Sequence, residues 1–126
     1  MNKVLLVGRI TKDVEIKMTS NQTPYCNFTL AVERRFKDAN GQRQVDFINC
    51  VAWKQTATFI QQYFKKGSRI GIEGNIQTRS YEDKDQVKHF LTEVIVDAAE
   101  FVENTNTPKA QEEPEKVMPQ ALPFEI

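Results

Sequence analysis

Period-two alternation runs through most of the chain. In residues 25–36, Cys26, Phe28, Leu30 and Val32 fall on one side, and Tyr25, Asn27, Thr29, Ala31 and Glu33 on the other. That is the pattern of a strand with one buried face. Residues 46–53 alternate in the same way. Ile48, Cys50 and Ala52 form a small apolar set suited to a core, while Phe47, Asn49, Val51 and Trp53 form the other face. This second face carries two large rings, one of them the only Trp. It admits two readings: a strand buried on both sides, or a solvated sheet face whose rings stack on unpaired bases.

Other segments follow from the same periodicity. Residues 2–10 read as a first strand, and 14–18 as its continuation or a second short one, with a turn or bulge at Thr11-Lys12-Asp13. Residues 20–24 have turn chemistry. The strand at 25–36 runs into the cationic and aromatic group Arg34-Arg35-Phe36-Lys37, and Asp38-Ala39-Asn40-Gly41 supplies a hairpin turn. The period changes over 56–66, where Ala57, Ile60 and Phe64 recur at helical spacing, as do Phe59 and Tyr63, with Gly67 as a stop. Residues 69–81 return to strand. Ile70, Ile72, Gly74 and Ile76 point inward, and Glu73, Asn75, Gln77, Arg79 and Tyr81 outward. Glu82-Asp83-Lys84-Asp85 makes a turn, and 87–102 a last strand with Phe90, Thr92, Val94 and Val96 on one face. Phe28, Phe64, Phe90 and Phe101 read as core or interface. Parity puts Phe36 with the core set of its strand. Either a bulge intervenes, or the strand has left the body of the fold by Phe36 and both faces are wet; we favour the second, because Arg34 shares the parity and does not bury unpaired.

About five strands with one helix between the third and fourth fit an all-β, five-stranded Greek-key barrel of the oligonucleotide-binding (OB) type with extended hairpins. An open α+β sandwich is the alternative. Beyond residue 104 the composition shifts: residues 104–120 hold three prolines, four Asn or Gln, three Glu and little that is apolar. The expected organisation is one domain over 1–103 and a disordered, mildly acidic tail over 104–126. That tail ends in an apolar segment around Leu122, Pro123 and Phe124, a candidate partner-binding peptide.

Charge alters this picture little. The chain of 126 residues has 17 Lys and Arg against 17 Asp and Glu. The split is uneven, about +2 over 1–103 and −2 over the tail. Nucleic-acid binding must then lean on stacking and on where the cations sit. No apolar run approaches the roughly 20 residues of a membrane helix, and the expected location is cytoplasmic and nucleoid-associated. Cys26 and Cys50 match no zinc spacing and read as buried reduced thiols. The only histidine, His89, falls on the outward parity of the last strand and carries no expected chemistry. No metal, cofactor or catalytic residue is expected, and no enzyme.

The candidate chemistry is four rings set beside cations. Phe36 lies beside Arg34, Arg35 and Lys37; Phe47 follows Arg43; Trp53 adjoins Lys54; and Tyr81 sits near Arg79, with Lys84 across the turn. Each ring can take a base and each cation a phosphate. Lys65-Lys66 is either a solvated helix end or a further phosphate contact.

At these residues the sequence resembles the bacterial-type single-stranded-DNA-binding protein family. The resemblance runs through NKVLLVGRITKD (2–13), FTLAVERRF (28–36), DFINCVAW (46–53), FKKGSRIGIEGNIQTRSY (64–81) and TEVIVDAAEF (92–101). It implies a homotetramer that covers single-stranded DNA in replication, recombination and repair. The implied stacking rings are Phe36, Phe47, Trp53 and Tyr81, and the implied phosphate contacts Lys3, Lys65, Lys66 and Arg79. It also implies subunit pairing through the N-terminal strand, over residues 3–9. The tail departs from the family pattern. Pro123-Phe124 follows Gln120-Ala121-Leu122 instead of an acidic run, and Glu125-Ile126 comes after it. A pocket that reads a terminal Phe carboxylate does not find one there. The short linker fits a compact, phage- or plasmid-encoded variant. The alternative function is an OB-fold protein-interaction subunit of a replication or recombination complex, with secondary nucleic-acid binding.

Overall fold

The alternating segments become strands that roll into a barrel. The computed structural model describes residues 1–102, so the tail with Leu122, Pro123 and Phe124 lies outside the described residues. In chain order the elements are β1 (Val4–Ile10), β2 (Lys17–Met18), β3 (Pro24–Lys37), β4 (Arg43–Trp53), α1 (Lys54–Tyr63), β5 (Arg69–Glu82) and β6 (Lys88–Phe101). The sheet order is β1-β5-β6-β4-β3-β2, and a further β1–β3 pairing closes five of the strands into a ring. This is the expected OB architecture, with the helix between β4 and β5.

Closure happens at the end of β1. Arg9 is opposite Arg69 of β5 and also opposite Ala31 of β3. Gly8 sits at this junction, and a Cβ there would lie 2.5 Å from the Ala31 carbonyl oxygen. The ring is completed by a parallel pairing of β4 with β6, through Cys50–Val94, Val51–Ile95 and Ala52–Val96. The other pairings are antiparallel.

The inward faces meet in one core. Ile10, Cys26, Leu30, Cys50, Ile60 and Ile70 are its largest fully buried side chains, and none of the described charged or polar residues is buried. Each large aliphatic side chain buried this way contributes about 1.5–3 kcal/mol. α1 packs on β3, β4 and β6 and inserts Ala57 and Ile60. Phe64 follows it into the core. There it stacks on Phe101 at 5.0 Å, with Phe59 and Tyr63 packed edge-on around the pair.

Several expectations need correction. β4 begins at Arg43, three residues earlier than its apolar pattern suggests. α1 covers Lys54–Tyr63, not 56–66; Gly67 belongs to the following turn, where its N–H donates to the Ile10 carbonyl at 2.7 Å. The strand at 87–102 starts at Lys88 and continues through Ala98 and Ala99 to Phe101. Ile76 has inward parity but is exposed, and Phe90 is 78% exposed. Phe90 lies where β5 and β6 pair only with each other, beyond the barrel wall, so the inward face there has no core to meet. Ile76 lies past the Val4–Gly74 end of the β1–β5 ladder, where β1 no longer covers β5. Val51 shows the reverse: it has outward parity but is only 8% exposed. It lies between Asn27 of β3 and Ile95 of β6, in the middle of the outer sheet surface.

Candidate nucleic-acid interface

The outer face of β3, β4, β6 and β5 is one continuous curved surface. Its rows follow from the register: Tyr25 opposite Trp53, Asn27 opposite Val51, Thr29 opposite Asn49, and Ala31 opposite Phe47. Beyond β6, Arg79 is opposite Leu91 and Tyr81 opposite His89. Phe47, Trp53 and Tyr81 therefore share the outer face. Their rings are 67%, 40% and 49% exposed, and Phe36 is 80% exposed. So large an apolar area turned to solvent on one side of a small barrel marks an interaction surface.

Each ring is held differently. Trp53 is both the last residue of β4 and the N-cap of α1, so two elements fix its backbone. Lys54 turns the chain from strand to helix in a single residue by adopting φ 55°, a left-handed conformation that is costly for a side chain with a Cβ. Tyr25 stacks on Trp53 with centroids 5.0 Å apart and planes at 29°. Tyr81 is backed in the same way by His89, at 5.2 Å and 23°. Each pair leaves one broad ring face open.

Phe36 stands apart, at the end of the β3–β4 hairpin. The β3–β4 register shifts between Glu33 and Lys37. Residues 33–37 are all exposed as well, so the strand has left the barrel and is also irregular there. Arg43 donates to the Arg34 and Arg35 carbonyls at 3.4 and 3.2 Å, satisfying acceptors that the irregularity takes out of the ladder. The Arg35 guanidinium lies over the Phe36 ring, 5.9 Å from its centroid.

Between the rings the surface dips into an open groove of about 560 Å³. Asn27, Thr29 and Asn49 of the sheet face form its floor. Arg79 and Glu93 of the β5–β6 pair and Lys12, Asp13, Glu15 and Lys17 of the segment before β3 line the rest, so the groove carries both signs of charge. Asn49 shares its face of β4 with Phe47 and Trp53, so the floor lies between those two rings along the strand. Lys12 and Lys17 were missed by the sequence reading. They lie on the segment between β1 and β3, whose charges read as ordinary solvated positions, and only the fold brings that segment alongside β3.

The expected cations divide into two groups. Lys3 is paired with Glu73 at 2.6 Å, Arg34 with Asp46 at 2.9 Å, and Arg79 with Glu93 at 3.1 Å. Arg34 also donates to Gln44. These pairs raise the pKa of each base, in every case chiefly through the hydrogen bond to the carboxylate. The Arg34 guanidinium holds the Asp46 carboxyl below its ordinary value. Arg35, Lys54, Lys65, Lys66 and Lys84 make no ion pair among the described residues and are free to meet an anion. Lys65 and Lys66 lie past the end of α1, on a turn whose Lys66 N–H donates to Asp13.

The thiols are placed for packing. Burial pushes Cys26 up to about 11 and Cys50 up to about 12, so neither is a thiolate at neutral pH.

Comparison with known proteins agrees in kind. Residues 1–102 match the model of the Single-strand binding protein family. The chain is 46% identical over 106 residues to Single-stranded DNA-binding protein 2 of Listeria monocytogenes, across 84% of this chain and 66% of that protein. It is 47% identical over 103 residues to the Single-stranded DNA-binding protein of Halalkalibacterium halodurans, across 82% and 61%. With Single-stranded DNA-binding protein 2 of Streptococcus pyogenes it shares 48% over 107 residues, across 85% and 66%. The match thus spans about three-fifths to two-thirds of these relatives' own length.

Proposed function

The chain belongs to the single-strand binding protein family, and from that premise we propose that it binds single-stranded DNA with little sequence preference. It does so by stacking bases on Phe36, Phe47, Trp53 and Tyr81 while Lys and Arg side chains neutralise phosphates. The observation that carries this reading is the set of three exposed rings on one sheet face beside a polar groove. A flat ring accepts any base, but only an unpaired one, so the surface selects strandedness over sequence. Duplex DNA hides its base faces and offers only its backbone and the base edges in its grooves. Binding requires no bond to break, and the work it serves is protection of exposed strands in replication, recombination and repair.

Phosphates meet Arg35, Lys54, Lys65, Lys66 and Lys84 directly. Lys3, Arg34 and Arg79 must first exchange a carboxylate for a phosphate, which lowers their net contribution. Lys12 and Lys17 add contacts along the groove.

The working unit we propose is a homotetramer. Leu5 and Val7 on the outer face of β1 are exposed, and with Val102 they border a shallow apolar hollow of about 240 Å³. Native mass measured with and without a long oligonucleotide tests subunit number and stoichiometry together. A monomer that stays monomeric on DNA contradicts the tetramer. The tail segment at Leu122, Pro123 and Phe124 remains a proposed contact for replication or repair proteins.

The DNA reading is tested by anisotropy of a labelled oligonucleotide. Tight binding of single strands of several sequences, with much weaker binding of the matching duplex, is expected. Equal binding of both forms overturns it.

A further inference from the structure

The β5–β6 hairpin ends in a group of side chains that base stacking alone does not require. His89 lies flat against Tyr81, its register partner, with centroids 5.2 Å apart. Its Nε2 is 2.7 Å from Oδ2 of Asp83. Asp83 is in turn fixed by the backbone, accepting the N–H groups of Asp85 and Val87 on Oδ1 at 2.8 and 3.0 Å. The order is backbone turn, carboxylate, imidazole, phenol ring. Each member restrains the next, so Tyr81 cannot turn its hidden face outward without displacing His89.

We propose that His89 is a further nucleic-acid-binding residue, which backs the Tyr81 ring and, when protonated, tightens the hold on single-stranded DNA. The proposal rests on the single-strand reading above and adds a positioning and charge role to one corner of that surface. Histidine is the side chain whose charge changes between about pH 5 and 8, and His89 is the only one in the sequence. The Asp83 hydrogen bond suits either state: a neutral Nε2–H donates to the carboxylate, and an imidazolium does so with charge assistance. The ring position is therefore kept while the charge varies.

The surrounding charges decide the sign. From residue 82 to 89 the hairpin end carries Glu82, Asp83 and Asp85 against Lys84 and Lys88. With neutral His89 the end has a net charge of −1, which repels phosphate. Protonation brings it to zero. Farther down the same face, Arg79 is already paired with Glu93. Asp83 stays ionised throughout this range, because the hydrogen bond from His89 and those from the backbone hold its carboxyl below the ordinary value.

The test is the affinity for a labelled oligothymidylate at fixed salt, measured from pH 8 to pH 5.5. The wild-type chain should bind about threefold tighter at the acid end, the scale of one partly screened charge. His89→Phe keeps a flat ring beneath Tyr81 but carries no proton, and should lose the pH step. His89→Ala removes ring and charge, and should lose the step and also bind more weakly across the range. A step that persists in His89→Phe overturns the charge role; wild-type binding by His89→Ala overturns the whole proposal. Quenching of Trp53 by the same oligonucleotide separates the premise. If quenching remains while the His89 variants behave as wild type, the single-strand reading stands and this inference fails.

Discussion

At the scale of single residues, exposure is what made the site legible. Parity put Phe47 and Trp53 opposite the core set of their strand, but whether that face was buried or wet stayed open until neighbouring cations and the other rings were weighed. Tyr81 fell on an outward set, and Phe36 was placed outward by the argument that Arg34 cannot share a buried face. Val51 was given the right face, but its burial was not foreseen. The predicted hairpin puts Asn27 of β3 on one side of it, whereas Ile95 on the other side belongs to β6, which the sequence does not show to be a neighbour. His89 was given the right face but no role, because its stack on Tyr81 depends on the hairpin register. Two expectations belong here. Trp53→Ala should weaken binding to every single-stranded sequence alike, by about 1–3 kcal/mol, as read by isothermal titration with several oligonucleotides. The second concerns the Arg34–Asp46 pair, whose carboxyl lies below the ordinary 3.8. A depressed carboxyl stabilises the fold above its unfolded value and loses that contribution as pH falls through the folded one. Asp46→Asn should thus be slightly less stable than wild type near neutrality, and in acid-unfolding curves the gap should close as pH falls below the ordinary carboxylate range.

At the scale of elements, local pattern located the strands but not how far each stays in the barrel. The alternation of 69–81 continues unbroken from Ile70 to Ile76, yet only the earlier inward residues reach the core. The reason is topological: the β1–β5 ladder ends at Val4–Gly74, so Ile76 stands at an open edge, and farther on β5 pairs with β6 alone in a ribbon with two wet faces. The parallel β4–β6 pairing was likewise invisible, because it joins segments separated by a helix and a whole strand. Barrel closure makes a sharp demand at Gly8, where a methyl group would lie 2.5 Å from the Ala31 carbonyl oxygen and 3.0 Å from side-chain carbons of Leu30 and Val32. Gly8→Ala should destabilise the fold by about 1–3 kcal/mol. Thermal unfolding reads this directly, with Gly41→Ala as the comparison. Gly41 has φ 80° but nothing within 4 Å of the added group, so it costs only local strain.

For the whole molecule, a formal net charge of zero looks unsuited to DNA. The structure accounts for this through placement. Several acids are already paired with cations, and the unpaired Lys and Arg side chains sit at hairpin ends and turns where a strand can reach them. Affinity should therefore fall with salt at a slope of about −0.7 per phosphate neutralised. Replacing Lys54 or Lys65 by Gln should reduce that slope, whereas replacing Lys3, already held by Glu73, should reduce it less. The central claim is that unpaired bases stack on the outer face of β4, and the single Trp reports on that event with no label. Adding single-stranded oligonucleotide at low salt should quench Trp53 fluorescence to a stoichiometric end point, with duplex producing far less change. Unaltered Trp53 emission at saturating single strand, or equal quenching by duplex, would contradict it.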